Sequence, residues 1–149
     1  MLTASAVMRI AESLEDDSAG LYAALAAKFQ AGGSTFEGFV KESRRNKTDL
    51  LRTYQETITD ALEATFSFEG LVPAAIDGAA SQTEDYGEAV RRAIGIEEEA
   101  AAFYRQAAEK AQNLLATIPR AFARVAARRA ARVATLHALI AHSGSGEGE

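Results

Sequence analysis

The chain has 149 residues, a net charge of −5 and no cysteine, and alanine is its commonest residue by a wide margin. That length suits one domain with a core large enough to need no covalent or metal staple. Without cysteine there is no disulfide, no thiolate zinc site, no iron–sulfur cluster and no thiol nucleophile, and the acidic balance argues against nucleic acid as a partner.

Residues 1–17 contain no basic stretch leading into a long apolar run, so no signal peptide is expected. No run approaches the length of a membrane span. A soluble, cytoplasmic all-α domain with no membrane partner is the expectation.

The spacing predicts a first helix over about 4–30, where Ile10, Leu14, Leu21, Leu25 and Phe29 recur at helical steps. Ala31, Gly32 and Gly33 stop it. Ser34 to Glu37 reads as a capping box that opens a second helix over about 35–64, with Phe36, Phe39, Leu50, Tyr54 and Ile58 on its stripe. Residues 65–83 differ in character, holding Pro73, several glycines and little periodicity. Ser81 to Glu84 forms a second capping box, ahead of a third helix over about 84–115 that carries Val90, Ile94, Ala101, Tyr104, Ala108 and Leu115. After a break at Ala116 and Thr117, Pro119 stands in the first turn of a fourth helix over about 118–141. The tail 142–149, rich in Gly, Ser and Glu, is expected to be disordered.

Two helix hairpins joined by a long crossover make one four-helix bundle over 1–141, in up-down-down-up order. The hairpins also resemble each other. Leu14-Glu15 and Leu21-Tyr22 lie over Ile96-Glu97 and Phe103-Tyr104 at one constant shift. Phe36, Phe39, Val40 and Leu50 lie over Phe122, Val125, Ala126 and Leu136 at a slightly longer one, the difference falling in the turns. An internal duplication accounts for both.

Polar residues interrupt the apolar stripes at one level. Glu97 lies in the seam of the third helix, seven residues before Tyr104, and Glu15 holds the matching place before Tyr22. Arg129 and Arg132 stand on the fourth-helix stripe between Val125 and Leu136, and Ser43 and Asn46 stand at the corresponding places on the second. Buried charges must be paired or neutralised, so these six residues are expected to form a central polar layer.

On these residues the chain resembles the ferritin-like superfamily, and within it the compact rubrerythrin-like proteins. That family is built of two hairpins, each with a Glu, then Phe-Tyr six and seven residues on, then Phe-x-x-Leu-Ala-x-x-Glu-x-x-His. Glu97 with Phe103-Tyr104, and Glu15 with Leu21-Tyr22, match the first element, and the likeness covers about residues 4–141. The resemblance implies a four-helix fold around a di-iron or di-manganese site, held by the two Glu and the two Glu-x-x-His pairs. Both Glu-x-x-His pairs are missing here: Ser43 and Asn46 replace one, Arg129 and Arg132 the other. These with Glu15 and Glu97 are vestigial di-metal positions, and Tyr22 and Tyr104, which the resemblance places beside the metals, become core residues bonded to carboxylates.

Three readings of function follow. In the leading one the metal site is lost, no cofactor is bound, and the protein is a non-catalytic bundle acting through its surface, as a homo-oligomer (a dimer first) or with an unidentified protein partner. In the second, Glu15 and Glu97 hold iron or manganese in an oxidoreductase or iron-handling protein. In the third, Arg129 and Arg132 bind an anion or small ligand. The incomplete ligand set leans against an enzyme. A one-turn slip of register would turn Glu12, Glu98 or Glu99 inward instead. His137 is placed at the edge of the core and His142 at a frayed end, neither with a second nitrogen ligand. Arg120, Arg124 and Arg128 form a basic ladder whose acidic counterpart is the third helix, so ion pairing or a subunit contact is expected there rather than nucleic acid.

Overall fold

A computed structural model of the chain describes residues 3–57, 68, 70–76, 78–111 and 117–147. Four long helices carry them: α1 (Ala4–Lys28), α2 (Gly33–Thr57), α3 (Tyr86–Lys110) and α4 (Thr117–Glu147), with one short 3-10 helix, Gly78–Ser81, between α2 and α3. No described residue lies in a strand. No helix is long and apolar enough to cross a membrane.

The helix ends follow from local chemistry, and at two of them the capping differs from expectation. Thr3 caps α1, its hydroxyl accepting from the Ala6 amide at 3.1 Å. The turn after α1 closes on Gly32, whose φ of +74° suits glycine, and an added Cβ would lie 2.7 Å from the Tyr86 hydroxyl. Because the Gly32 carbonyl already accepts from the Phe36 amide (2.9 Å), α2 starts at Gly33. Ser34 therefore lies inside the helix rather than capping it. The box expected at Ser81–Glu84 is not formed either. Ser81 ends the 3-10 helix and donates to the Gly78 carbonyl, while Asp85 caps α3 by accepting from Gly87 at 3.0 Å.

The spacing carries the second helix to about residue 64 and the third to about 115; residues 58–64 and 112–115 lie outside those described. The fourth helix does not stop at Ala141 but runs to Glu147. Extending an existing helix carries no new nucleation cost, so it continues even through the poor helix formers Ser143 to Gly146. Residues 148 and 149 lie outside the described residues.

The helices pair as two hairpins, α1 with α2 and α3 with α4. Glu15 reaches Tyr104 and Tyr22 reaches Glu97, so α1 and α3 run antiparallel; Glu42 reaches Arg132 and Asp49 reaches Arg128, so α2 and α4 do too. This is the up-down-down-up order. In the crossover Phe68 and Leu71 are buried against the bundle and Ile76 packs on it, but Val72 stands out in solvent; Phe66 is not described. Lys28 fastens the far end of the crossover, donating to the carbonyls of Ser81 (3.2 Å) and Thr83 (2.9 Å).

The apolar core falls into two parts. One holds Val7, Leu14, Leu50, Phe103, Phe122 and Val125, and the other Leu21, Leu25, Phe36, Val90, Ile94 and Leu136. A polar layer lies between them.

Candidate functional site

Seven polar or charged side chains are buried among the described residues: Glu15, Ser18, Ser43, Asn46, Glu97, Arg129 and Arg132. All lie at one level of the bundle. The helical register that puts apolar residues above and below also turns these inward, since each sits three, four or seven residues from a core neighbour on its own helix.

Arg129 occupies the centre, with no exposure to solvent. Its Nη1 donates to both oxygens of Glu97, at 2.8 and 2.9 Å, and its Nη2 donates to Glu15 Oε2 at 2.7 Å and to Ser18 Oγ at 2.8 Å. One guanidinium thus bridges the carboxylates of α1 and α3. Arg132 lies beside it. Its Nη1 reaches Glu97 Oε1 at 3.2 Å and its Nε reaches Glu42 Oε1 at 2.6 Å, while its guanidinium carbon stands 5.1 Å from the Phe39 ring centroid and 5.8 Å from that of Tyr22.

The remaining contacts come in reciprocal sets. The Tyr22 hydroxyl donates to Glu97 at 2.7 Å, and the Tyr104 hydroxyl to Glu15 at 2.6 Å. Tyr22 stacks on Phe36 with ring centroids 6.0 Å apart, and Tyr104 on Phe122 at 6.3 Å. Asn46 donates to Glu15 at 3.1 Å, as Arg132 does to Glu97. Arg128 donates to Asn46 Oδ1 at 2.8 Å, as Arg132 does to Glu42. Each of these contacts has its counterpart in the other hairpin. The symmetry breaks at Ser43, at the place matching Arg129, whose buried hydroxyl has no partner, and at Ser18, which accepts from Arg129 and is matched by Ala100.

The electrostatics follow from the charges. Burial alone would raise the Glu97 carboxyl, but Arg129 and Arg132 outweigh it and hold its pKa below the ordinary carboxylate value. Burial, reinforced by the neighbouring Glu97, pushes the Tyr22 hydroxyl well above its usual range, and burial with Glu15 does the same to Tyr104. For Arg129 desolvation works against the charge, yet Glu97 and Glu15 together keep it firmly protonated. The layer therefore sets an ionised Glu97 against a protonated Arg129, with the Tyr22 and Tyr104 hydroxyls kept neutral.

Other expected residues fall elsewhere. Glu98 and Glu99 are exposed and Glu12 is only half-buried, so the register places Glu15 and Glu97 inward. His137 is exposed rather than at the edge of the core, because the step after Leu136 turns it to solvent, and His142 is exposed too. In the basic ladder Arg120 and Arg124 are exposed, and Arg128 pairs with Asp49 at 3.1 Å. Its acidic partner is on α2, not α3, because the antiparallel crossing brings Asp49 to the outer edge of the polar layer.

Ser18, Glu42 and Asp49 join the layer without a signal on the apolar stripes. Ser18 stands three residues after Glu15 and so shares its helix face. The two acids resemble any solvated helix charge until α4 packs beside them.

The donor set does not fit a di-metal centre. Where the family resemblance calls for two Glu-x-x-His pairs, Ser43 and Asn46 offer one hydroxyl and one amide, and Arg129 and Arg132 offer only donors. No group of three or more His, Cys, Asp or Glu side chains among the described residues is placed to hold an ion. No family model, curated protein or solved structure matches this chain.

Proposed function

We propose that this chain is a rubrerythrin-like member of the ferritin-like superfamily, grown from a duplicated helix hairpin, in which an arginine-centred polar layer has replaced the di-metal centre. It works as a non-catalytic bundle, through its surface and as a homo-oligomer, with partner binding rather than redox chemistry as its role. The observation that carries this reading is the Arg129 guanidinium, placed within 2.9 Å of both carboxylates that the family would use as ligands. A guanidinium brings the positive charge two carboxylates need, in a geometry that suits bidentate pairing. The reciprocal tyrosine–glutamate and tyrosine–phenylalanine contacts support the duplication, since two copies of one hairpin meeting about a two-fold would make each contact twice.

The test is elemental analysis after anaerobic loading with ferrous iron and with manganese, followed by desalting. No bound metal and an unchanged melting temperature are expected. Near two ions per chain would overturn the reading and return the protein to oxidoreductase chemistry; one ion would mark an improvised site on Glu15 and Glu97. Sedimentation velocity checks the oligomer, and a monomer throughout would remove that part.

A further inference from the structure

The contacts of Arg129 are unevenly distributed over its guanidinium. Every hydrogen bond it makes comes from Nη1 and Nη2, while Nε, equally buried, has no partner. The side-chain stem thus tethers the cation but adds nothing to its recognition. Its four acceptors are two oxygens of Glu97, one of Glu15 and the hydroxyl of Ser18. Each is itself fixed: Tyr22 and Arg132 hold Glu97, Tyr104 and Asn46 hold Glu15, and Ser18 donates to the Leu14 carbonyl at 2.6 Å. A site whose groups are locked by their own partners keeps its shape when the occupant changes.

We propose that Glu15, Glu97 and Ser18 form a cage selective for a planar guanidinium ion, that Arg129 is its built-in ligand, and that the cage binds a free guanidinium compound when that side chain is shortened. The inference rests on the reading of the layer as one filled by an internal cation. A close-packed interior leaves a cavity of the missing side chain's shape, and here that cavity is lined by two carboxylates. One retains Arg132; the other is left with only a tyrosine and an amide. A free guanidinium satisfies the same four acceptors, whereas urea has the same shape and no charge.

The experiment is thermal melting of Arg129→Ala with millimolar guanidinium or methylguanidinium, and separately with urea, sodium chloride or manganese. The variant is expected to melt roughly 10 °C below the parent, the scale set by stranding a buried carboxylate in a chain of this size. The guanidinium ions should recover much of that loss saturably, as ligands binding only the folded state do. Urea and sodium chloride should not, and the triple variant Glu15→Gln, Glu97→Gln, Arg129→Ala should not respond. Failure of both guanidinium ions to stabilise the variant overturns the proposal, as does equal stabilisation by sodium chloride. Stronger stabilisation by manganese overturns the selectivity for a planar ion.

Should Arg129→Ala fail to fold, nitrogen-15 side-chain spectra of the parent decide. A caged guanidinium gives separate, slowly exchanging Nη signals for Arg129, and one averaged, fast-exchanging signal would overturn the proposal. Metal uptake by the parent bears on the function proposed above; absence of rescue in the variant bears only on the cage.

Discussion

The hairpins α1/α2 and α3/α4 present the same framework to each other and differ at its centre. Both bring a glutamate, a tyrosine bonded to the opposite glutamate, and an aromatic ring stacked on that tyrosine. At the central position of the second helix, however, the first hairpin has Ser43 and the second Arg129. The serine hydroxyl finds no partner, while the arginine reaches across to serve both glutamates. Two arginines there would bring two guanidiniums into the same space, and two serines would leave two buried carboxylates without a central cation. One large cation and one small residue fill a single site, so the asymmetry is what lets an otherwise reciprocal layer be neutral and packed.

That comparison is most sharply broken at Arg129. Arg129→Met should cost about 4 kcal/mol in chemical denaturation, because it leaves buried Glu15 with no cation and Glu97 with Arg132 alone. Adding Glu15→Gln and Glu97→Gln should recover a large part of the loss; a triple variant weaker than the single one would mean that the layer is not organised around its charges. Next come the glutamates taken singly. Glu97 holds two guanidiniums and Glu15 one guanidinium and an amide, so Glu97→Gln should cost about 3 kcal/mol and Glu15→Gln about 2. Equal losses would show that the charge is shared evenly between the hairpins.

The tyrosines test the reciprocal part. Tyr22→Phe and Tyr104→Phe should each cost about 1.5 kcal/mol and resemble each other, since each removes one bond to a buried carboxylate. Smallest is the orphaned serine. Ser43→Ala should be close to neutral, within about 0.5 kcal/mol, whereas Ser18→Ala, which removes a partner of Arg129, should cost about 1 kcal/mol. A marked loss at Ser43 would reveal a contact of its hydroxyl and weaken the contrast between the hairpins.

The same contrast has a pH signature. Glu97 is held below the ordinary carboxylate value, so folding is favoured above that ordinary value and the contribution disappears as pH falls through the lowered one. The melting temperature should therefore fall on acidification, and less steeply in Glu97→Gln. Tyr22 and Tyr104 are raised, so they titrate first in the unfolded chain; stability is intact below the usual tyrosine value and declines as pH rises beyond it. The double variant Tyr22→Phe, Tyr104→Phe should flatten that alkaline limb, and an unchanged slope would count against burial of the hydroxyls in solution.

Spacing along the chain was enough for the helical class, the four-helix order with its long crossover, and the polar residues that share the level of Glu15 and Glu97. All of these are properties of spacing along a single helix. A 3.6-residue period assigns each side chain to a face whatever that face later meets. Helix ends were less legible: Asp85 and Gly32, not Ser81 and Ser34, settle two of them, because several residues within one turn offer similar caps and the packed turn selects among them.

The partners come from how the helices pack. That packing gave Tyr22 to Glu97 and not to Glu15 on its own helix, brought Glu42 and Asp49 to the arginines of α4, and set one guanidinium between two carboxylates. Those distances depend on how antiparallel helices from different hairpins cross, which no spacing within one helix records. The cost of burying charge requires that partners exist; the packing of four helices selects which ones they are.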